Sequence, residues 1–221
     1  MPRAALRKPP PDLDLTPWLL QPEQLPPVLS SQSLFGNDRP LEIEIGSGKG
    51  LFIQTASAGE PGHYFLGIEI AKKYAAHAAA RLARIGQTNA KMLAGDASPL
   101  LTPARVTDSS VEAIHVYFPD PWWKKRHRKR RILSEPNIRQ FSRMLRTGGR
   151  LHFWTDVLDY FELTIELIAE IAPELGVPLP EKQRDSKHDL DYHTHFERRS
   201  RRLGIPVYRV HYFKRGPSRT A

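Results

Sequence analysis

The chain has 221 residues, 40% of them apolar, enough to bury a core in one large domain or two small ones and to exclude wholesale disorder. No apolar run is long enough to span a membrane, Met1 to Pro11 carries charge and four prolines but no apolar signal segment, and cysteine is absent, which removes disulfides, thiolate metal sites and cysteine nucleophiles and suits a reducing cytoplasm. The net charge of +9 is concentrated: Lys124 to Arg131 holds seven Lys/Arg and no acid, and without it 26 basic residues face 24 acidic ones. Such a block reads as a docking surface for a polyanion or, more plainly, as a solvated basic loop.

Residues 1–40 contain nine of the 20 prolines and read as an extended N-terminal arm with one short turn near Trp18-Leu19-Leu20. From residue 41 strands and helices alternate. Leu41 to Ile45 is a short strand running into a glycine cluster, and Gly50 to Ser57 a short helix. Tyr64 to Ile70 is the second strand. The alanine-rich stretch Ala71 to Ile85, stopped by Gly86, is a helix. Ala90 to Ala94 is the third strand, closed by Gly95-Asp96. Val111 to Phe118 is the fourth, with Ile114, Val116 and Phe118 on one face. A helix starts at Ser134 and runs to about Arg146, before Thr147-Gly148-Gly149. Arg150 to Thr155 is a fifth strand, Val157 to Ile171 an apolar helix ending at Pro173, and Pro206 to Lys214 a last alternating strand. This order predicts a mostly parallel α/β sheet, which binds ligands beyond the carboxyl ends of its strands.

The chemistry-bearing clusters follow predicted strands. Glu44-Ile45-Gly46-Ser47-Gly48-Lys49-Gly50 supplies alternate glycines, so a ligand can press against bare backbone. The spacing is wrong for a phosphate loop and departs from G-x-G-x-x-G, which disfavours a nicotinamide-dependent oxidoreductase. Glu44 repels phosphate and favours an ammonium. Glu69 can accept from both hydroxyls of a ribose, and Asp96 can reach an adenine edge. An ammonium, a ribose and an adenine without diphosphate describe S-adenosylmethionine. The plainer alternative is that Glu69 and Asp96 are surface acids or helix caps and the glycines only a turn.

Tyr117-Phe118-Pro119-Asp120-Pro121-Trp122-Trp123 holds Asp120 between two prolines that fix the turn, flanked by aromatic faces on which a base can stack. A rigid turn whose tryptophans pack into the core is the alternative. The scattered histidines, His115, His127, His188, His193 and His195, lack the carboxylate–histidine spacing of a metal helix, so no metal is expected.

With these pieces the chain resembles the tRNA (guanine-N7-)-methyltransferases of the bacterial TrmB type. The resemblance rests on the Glu44 to Gly50 loop, Gly67-Ile68-Glu69, Gly95-Asp96-Ala97 and Phe118-Pro119-Asp120-Pro121-Trp122 with the basic residues that follow. Thr155-Asp156 and Thr194-His195-Phe196-Glu197 complete it, and it covers roughly residues 41–214. It implies a class I, Rossmann-like S-adenosylmethionine-dependent methyltransferase: a mostly parallel seven-stranded sheet with helices on both faces over 41–221, behind a proline-rich arm at 1–40. By the same resemblance Glu44, Gly46, Gly48, Glu69, Asp96 and Asp120 hold the cofactor, and Asp120 is also catalytic. Lys124, Asp156, Thr194, His195, Phe196 and Glu197 contact the guanine nucleotide. Arg126, Arg128, Lys129, Arg130 and Arg131 are expected on the tRNA backbone. The implied reaction is methyl transfer to N7 of a guanine in the tRNA variable loop, by a cytoplasmic monomer or homodimer with no membrane and no required protein partner. Methylation of another base, or RNA binding without catalysis, are the rival readings.

Overall fold

In a computed structural model, residues 6, 9–183, 185, 188 and 192–216 are described, the side chains of Lys125 and Arg128 excepted. The elements in chain order are β1 (Leu19–Leu20), α1 (Ser31–Phe35), β2 (Leu41–Ile45), α2 (Leu51–Gly59), β3 (Tyr64–Glu69), α3 (Lys72–Arg84), β4 (Ala90–Ala94) and α4 (Ala97–Leu100), then β5 (Val111–Tyr117), α5 (Glu135–Met144), β6 (Leu145–Thr155), α6 (Leu158–Ile171), β7 (Leu179–Pro180), α7 (His195–Arg202) and β8 (Tyr208–Phe213). They build one sheet in the order β1-β4-β3-β2-β5-β6-β8-β7. Pairing is parallel from β1 through β6, and β8 runs antiparallel to both β6 and β7. No helix among the described residues is long and apolar enough to cross a membrane.

The sheet has eight strands where seven were expected. The added one is β1, two residues paired to Met92 and Leu93 on the outer edge. The turn read near Trp18-Leu19-Leu20 is present at residues 16–18, closed by Trp18 N–H donating to Leu15 O at 2.9 Å, and it leads straight into this strand, so this part of the arm is packed rather than extended. Trp18 O accepts from Met92 N–H at 2.7 Å, and Leu29 and Leu34 are buried in the main core. Apolar residues spaced between the prolines bury enough surface to hold the segment down. The second correction lies at the α5–β6 junction. The helix ends at Met144 and the strand begins at once, with pairing that jumps from Val111↔Leu145 to Ala113↔Arg150. Gly148 and Gly149, expected between the helix and the next strand, therefore lie at a bulge inside a strand.

Alternation along β2 separates the two faces. Leu41, Ile43 and Ile45 enter the larger apolar core. Glu42 and Glu44 point to the other face, where neighbouring strands present Glu44↔His115, His115↔His152 and His152↔His211 in register. These ionisable groups lie beside a smaller apolar cluster containing Phe52, Tyr117 and Trp154. Glu42 accepts from His63 Nδ1 at 2.6 Å and His115 Nε2 at 2.7 Å. With His115 neutral, its Nδ1 accepts from the Tyr117 hydroxyl at 2.9 Å. The two imidazoles hold Glu42 down at about 2 against the opposing effect of burial, and burial pushes His115 down to about 4.

Both shifts leave the unfolded chain holding more protons in acid. Stability is expected to be full above about pH 6.5, then to fall toward pH 4 as His115 is charged and further toward pH 2 as Glu42 is protonated. Glu42→Leu strips the buried His115 and the half-buried His63 of their acceptor and should cost about 3 kcal/mol, read from chemical denaturation at pH 7. An unchanged midpoint would show that the pairing contributes nothing.

Candidate active site

The glycine loop after β2 turns through Gly46 (φ +81°) and Gly48 (φ +53°), backbone angles that side chains with a Cβ rarely adopt. Gly46 N–H and Ser47 N–H both donate to Ile68 O, fastening the loop to the end of β3. Glu69, at that end, accepts from Gly48 N–H and from Ala71 N–H, each at 2.8 Å. Its buried carboxylate therefore ties the loop to the start of α3, and each oxygen keeps a lone pair for a further donor.

Glu44 sits beneath this loop, buried, its carboxyl taking a hydrogen bond from the Ser47 hydroxyl while Oε2 lacks a hydrogen-bond partner among the described residues. Burial pushes its carboxyl up to about 8, and repulsion from Glu69 adds to the effect. A buried carboxyl with one such oxygen beside a bare glycine turn fits an ammonium-bearing ligand, and the residue set fits S-adenosylmethionine. Asp96 is exposed and caps α4, accepting from Ser98 N–H at 3.0 Å. The capping alternative raised from the sequence is thus realised, and a second oxygen is left for an adenine edge.

Asp120 is exposed at the end of β5, on a turn bracketed by two aromatics in the left-handed region, Phe118 (φ +51°) and Trp122 (φ +41°). Such angles in bulky residues are strained and persist only where the surroundings impose them. Phe118 N–H donates to Trp154 O at 2.7 Å, and Arg131 Nε donates to Pro121 O at 2.7 Å. The Arg131 guanidinium also lies over the rings of Trp123 and Tyr160, while Arg130 lies over Trp122. The basic block is therefore divided. Lys124, Arg126, Lys129 and Arg130 are exposed, and residues Lys125–Arg130 form a 3-10 turn. Arg131, expected on the tRNA backbone, is turned inward as a brace for the Asp120 turn. The Arg128 side chain lies outside the described residues. The alternative in which the tryptophans pack into the core fails for Trp123, which is 46% exposed.

The stretch after β7 comes back over the same end of the sheet. Thr194 caps α7 by accepting from Glu197 N–H at 3.0 Å, and Glu197 Oε2 accepts from His193 N–H at 2.8 Å. Glu197 is buried and also holds Arg209 at 3.1 Å. Thr194 and Glu197, expected as substrate contacts, thus fix the start of α7. Phe196, 46% exposed, stacks on Phe118 with centroids 6.0 Å apart. Ser200 Oγ donates to Asp156 Oδ2 at 3.1 Å. His195 Nε2 stands 3.3 Å from Arg81 Nη1. Burial, with Arg81, Arg198, Lys49 and His77 around it, pushes His195 down to about 4, so it is neutral at pH 7.

The turn after β5, Asp156 after β6 and the start of α7 are thereby joined by direct contacts, and His195 brings α7 within electrostatic reach of the glycine loop. Lys124, Asp96 and Asp120 are exposed, and among the described residues no hydrogen bond joins their side chains to the other members. Sequence reasoning missed His193, whose ring lies 4.6 Å from Trp154, 6.0 Å from Phe52 and 6.1 Å from Tyr117. No local pattern marks it, because its neighbours come from α2, β5 and β6. The capping role was readable, since Thr194-x-x-Glu197 has capping-box spacing.

Comparison with known proteins identifies the family. A family model described as "Putative methyltransferase" matches residues 38–210. The tRNA (guanine-N(7)-)-methyltransferase of Rhodopirellula baltica is 73% identical over 97% of this chain and 81% of its own length. The enzyme of the same name from Streptococcus pneumoniae is 33% identical over 81% of this chain and 83% of its own. Among solved structures, the 16S rRNA methyltransferase KamB superposes with a TM-score of 0.60 at 15% identity, over 84% of this chain and 92% of that one, a likeness of fold. The crevice and the relatives lead to one statement: the chain belongs to the tRNA (guanine-N7-)-methyltransferase family.

Proposed function

We propose that this protein transfers the methyl group of S-adenosylmethionine to N7 of a guanine in the tRNA variable loop, as a cytoplasmic enzyme without an obligatory protein partner. The observation that carries the reading is that a buried acid under a glycine loop, an aromatic-flanked Asp120 and an exposed run of cations all lie at one end of one sheet. The activity carried by the two named relatives supports it.

The cofactor, when bound, supplies a sulfonium methyl group, an electrophile needing no further activation. Guanine N7 has a free lone pair and no proton, so no general base is required before transfer. What remains for the protein is placement and charge. Glu44 and Glu69 receive the ammonium and the ribose hydroxyls. The Asp120 turn and Asp156, held by Ser200, position the base, and alignment of this kind is worth about 7–11 kcal/mol of barrier. The guanine becomes cationic as N7 is methylated, and a carboxylate at Asp120 or Asp156 favours that charge. Such acids also match the N1–H and N2–H₂ donors of guanine, whereas adenine presents an acceptor at N1.

Lys124, Arg126, Lys129 and Arg130 offer phosphate contacts that offset local unstacking of the guanine, a cost of a few kcal/mol. Replacing Arg126 and Lys129 with Ala should weaken tRNA binding and flatten the plot of log affinity against log salt by about two. An unaltered slope, measured by fluorescence anisotropy, would remove the segment from the interface. The reaction itself is tested by incubating the protein with tRNA and methyl-labelled cofactor and digesting the RNA to nucleosides. Label in 7-methylguanosine from the variable loop is expected. Label in another nucleoside, or tRNA binding with no transfer, would overturn the reading.

A further inference from the structure

The reading above leaves unused an open groove between α7 and β8, whose walls include Gln183, Tyr192, Arg201, Arg202 and Arg209 and, among the described lining residues, no acid. Arg201 lies over the Tyr192 ring at 4.9 Å and is held from behind by Glu197 at 3.7 Å, so the groove presents an aromatic and a guanidinium fixed in place. Arg202 is exposed at the carboxyl end of α7. Arg209 forms the inner wall, held by Glu197 and lying 5.0 Å over the Trp154 ring.

The groove lies beside the carboxyl end of β6, where Arg209 pairs with Trp154 in the sheet. Tyr192 directly precedes His193, whose ring rests on Trp154, so Trp154 is flanked by the acceptor side and by the groove's Arg209. Reaching N7 in folded RNA splays the guanine out of its stack, and its chain neighbour then loses a stacking partner too. Unstacked bases are received on aromatic and guanidinium planes, and their phosphates by cations.

We propose that this groove seats the nucleotide adjoining the methylated guanine, its base against the Tyr192–Arg201 pair and its phosphate on Arg202. The proposal rests on the tRNA reading above and deepens it by giving the enzyme a second nucleotide subsite.

The test uses the full chain with tRNA transcripts carrying an abasic nucleotide immediately 5′ or immediately 3′ of the target guanine. Wild type should lose about tenfold in affinity for one of the two. Tyr192→Ala should lose about tenfold on intact tRNA and nothing further on that abasic transcript. Arg202→Ala should weaken both transcripts alike and lower the salt slope by about one. Retained binding of S-adenosylhomocysteine by each variant, measured by calorimetry, reports that it is folded. The proposal is overturned if the abasic nucleotide costs the same with and without Tyr192, or if wild type ignores it on both sides. Failure of the broader reading looks different: wild type would then form no 7-methylguanosine on intact tRNA.

Discussion

Asp120→Ala is expected to lower kcat by about 10²–10³-fold, the usual loss when one preorganised group facing developing charge is removed. The residue is exposed, and its side chain makes no hydrogen bond among the described residues. The turn around it is fixed independently by Pro119, Pro121, the Phe118–Trp154 bond and the Arg131 brace. Binding of S-adenosylhomocysteine should therefore stay close to wild type, since Glu44 and Glu69 are untouched. Asp120→Asn separates charge from shape: it keeps the size and one acceptor, so a turnover as low as that of the Ala variant assigns the effect to the negative charge. Full activity in Asp120→Ala, measured by nucleoside analysis under saturating tRNA, would remove the residue from the mechanism. Arg131→Ala is an informative companion. If the strained turn needs its brace, that variant lowers kcat without changing the salt slope, the opposite of what a phosphate contact does.

Much of this site could be read from residues because it lies on strands that announce themselves. Leu41 to Ile45 and Val111 to Tyr117 are short apolar runs bounded by glycine or proline. Parallel pairing of such strands forces Glu44, Glu69, Asp96 and Asp120 to their common carboxyl end. What could not be read is set by contacts between distant segments. Leu19 and Leu20 make a strand only because the edge of β4 is open to them. The glycines at 148 and 149 look like the gap between helix and strand until the register of β5 places them at a bulge. Arg131 is indistinguishable in sequence from the cations beside it, and only Trp123, Tyr160 and the Pro121 carbonyl turn it inward. Helix α7 is so rich in arginine that it resembles a solvated face, yet Ser200 and Glu197 on its inner side are buried. His193 carries no local signal at all.

Glu44→Gln is expected to weaken binding of the donor by about 10–100-fold at pH 8, the loss of one charge-assisted contact of about 1.5–3 kcal/mol. The pH dependence gives the sharper test. The free protein holds a proton on Glu44 up to about pH 8, and seating an ammonium on that carboxyl requires the proton to leave. Donor affinity should therefore climb through neutral pH by up to tenfold per unit, with one proton released per molecule bound. The climb should level off above about pH 8, where Glu44 is already ionised in the free protein. Calorimetry with S-adenosylhomocysteine in two buffers of different ionisation heat counts that proton directly. In Glu44→Gln the rising limb should vanish. Stability supplies a readout of opposite sign. A carboxyl whose folded pKa lies above its unfolded value of 4.5 contributes stability that is complete below pH 4.5 and lost as pH rises toward 8. The Gln variant escapes that loss and should melt higher than wild type at pH 8 while binding the donor less well. A misfolded variant cannot show both changes at once. A wild-type donor affinity that is flat from pH 6 to 8 would mean that Glu44 does not meet the ammonium.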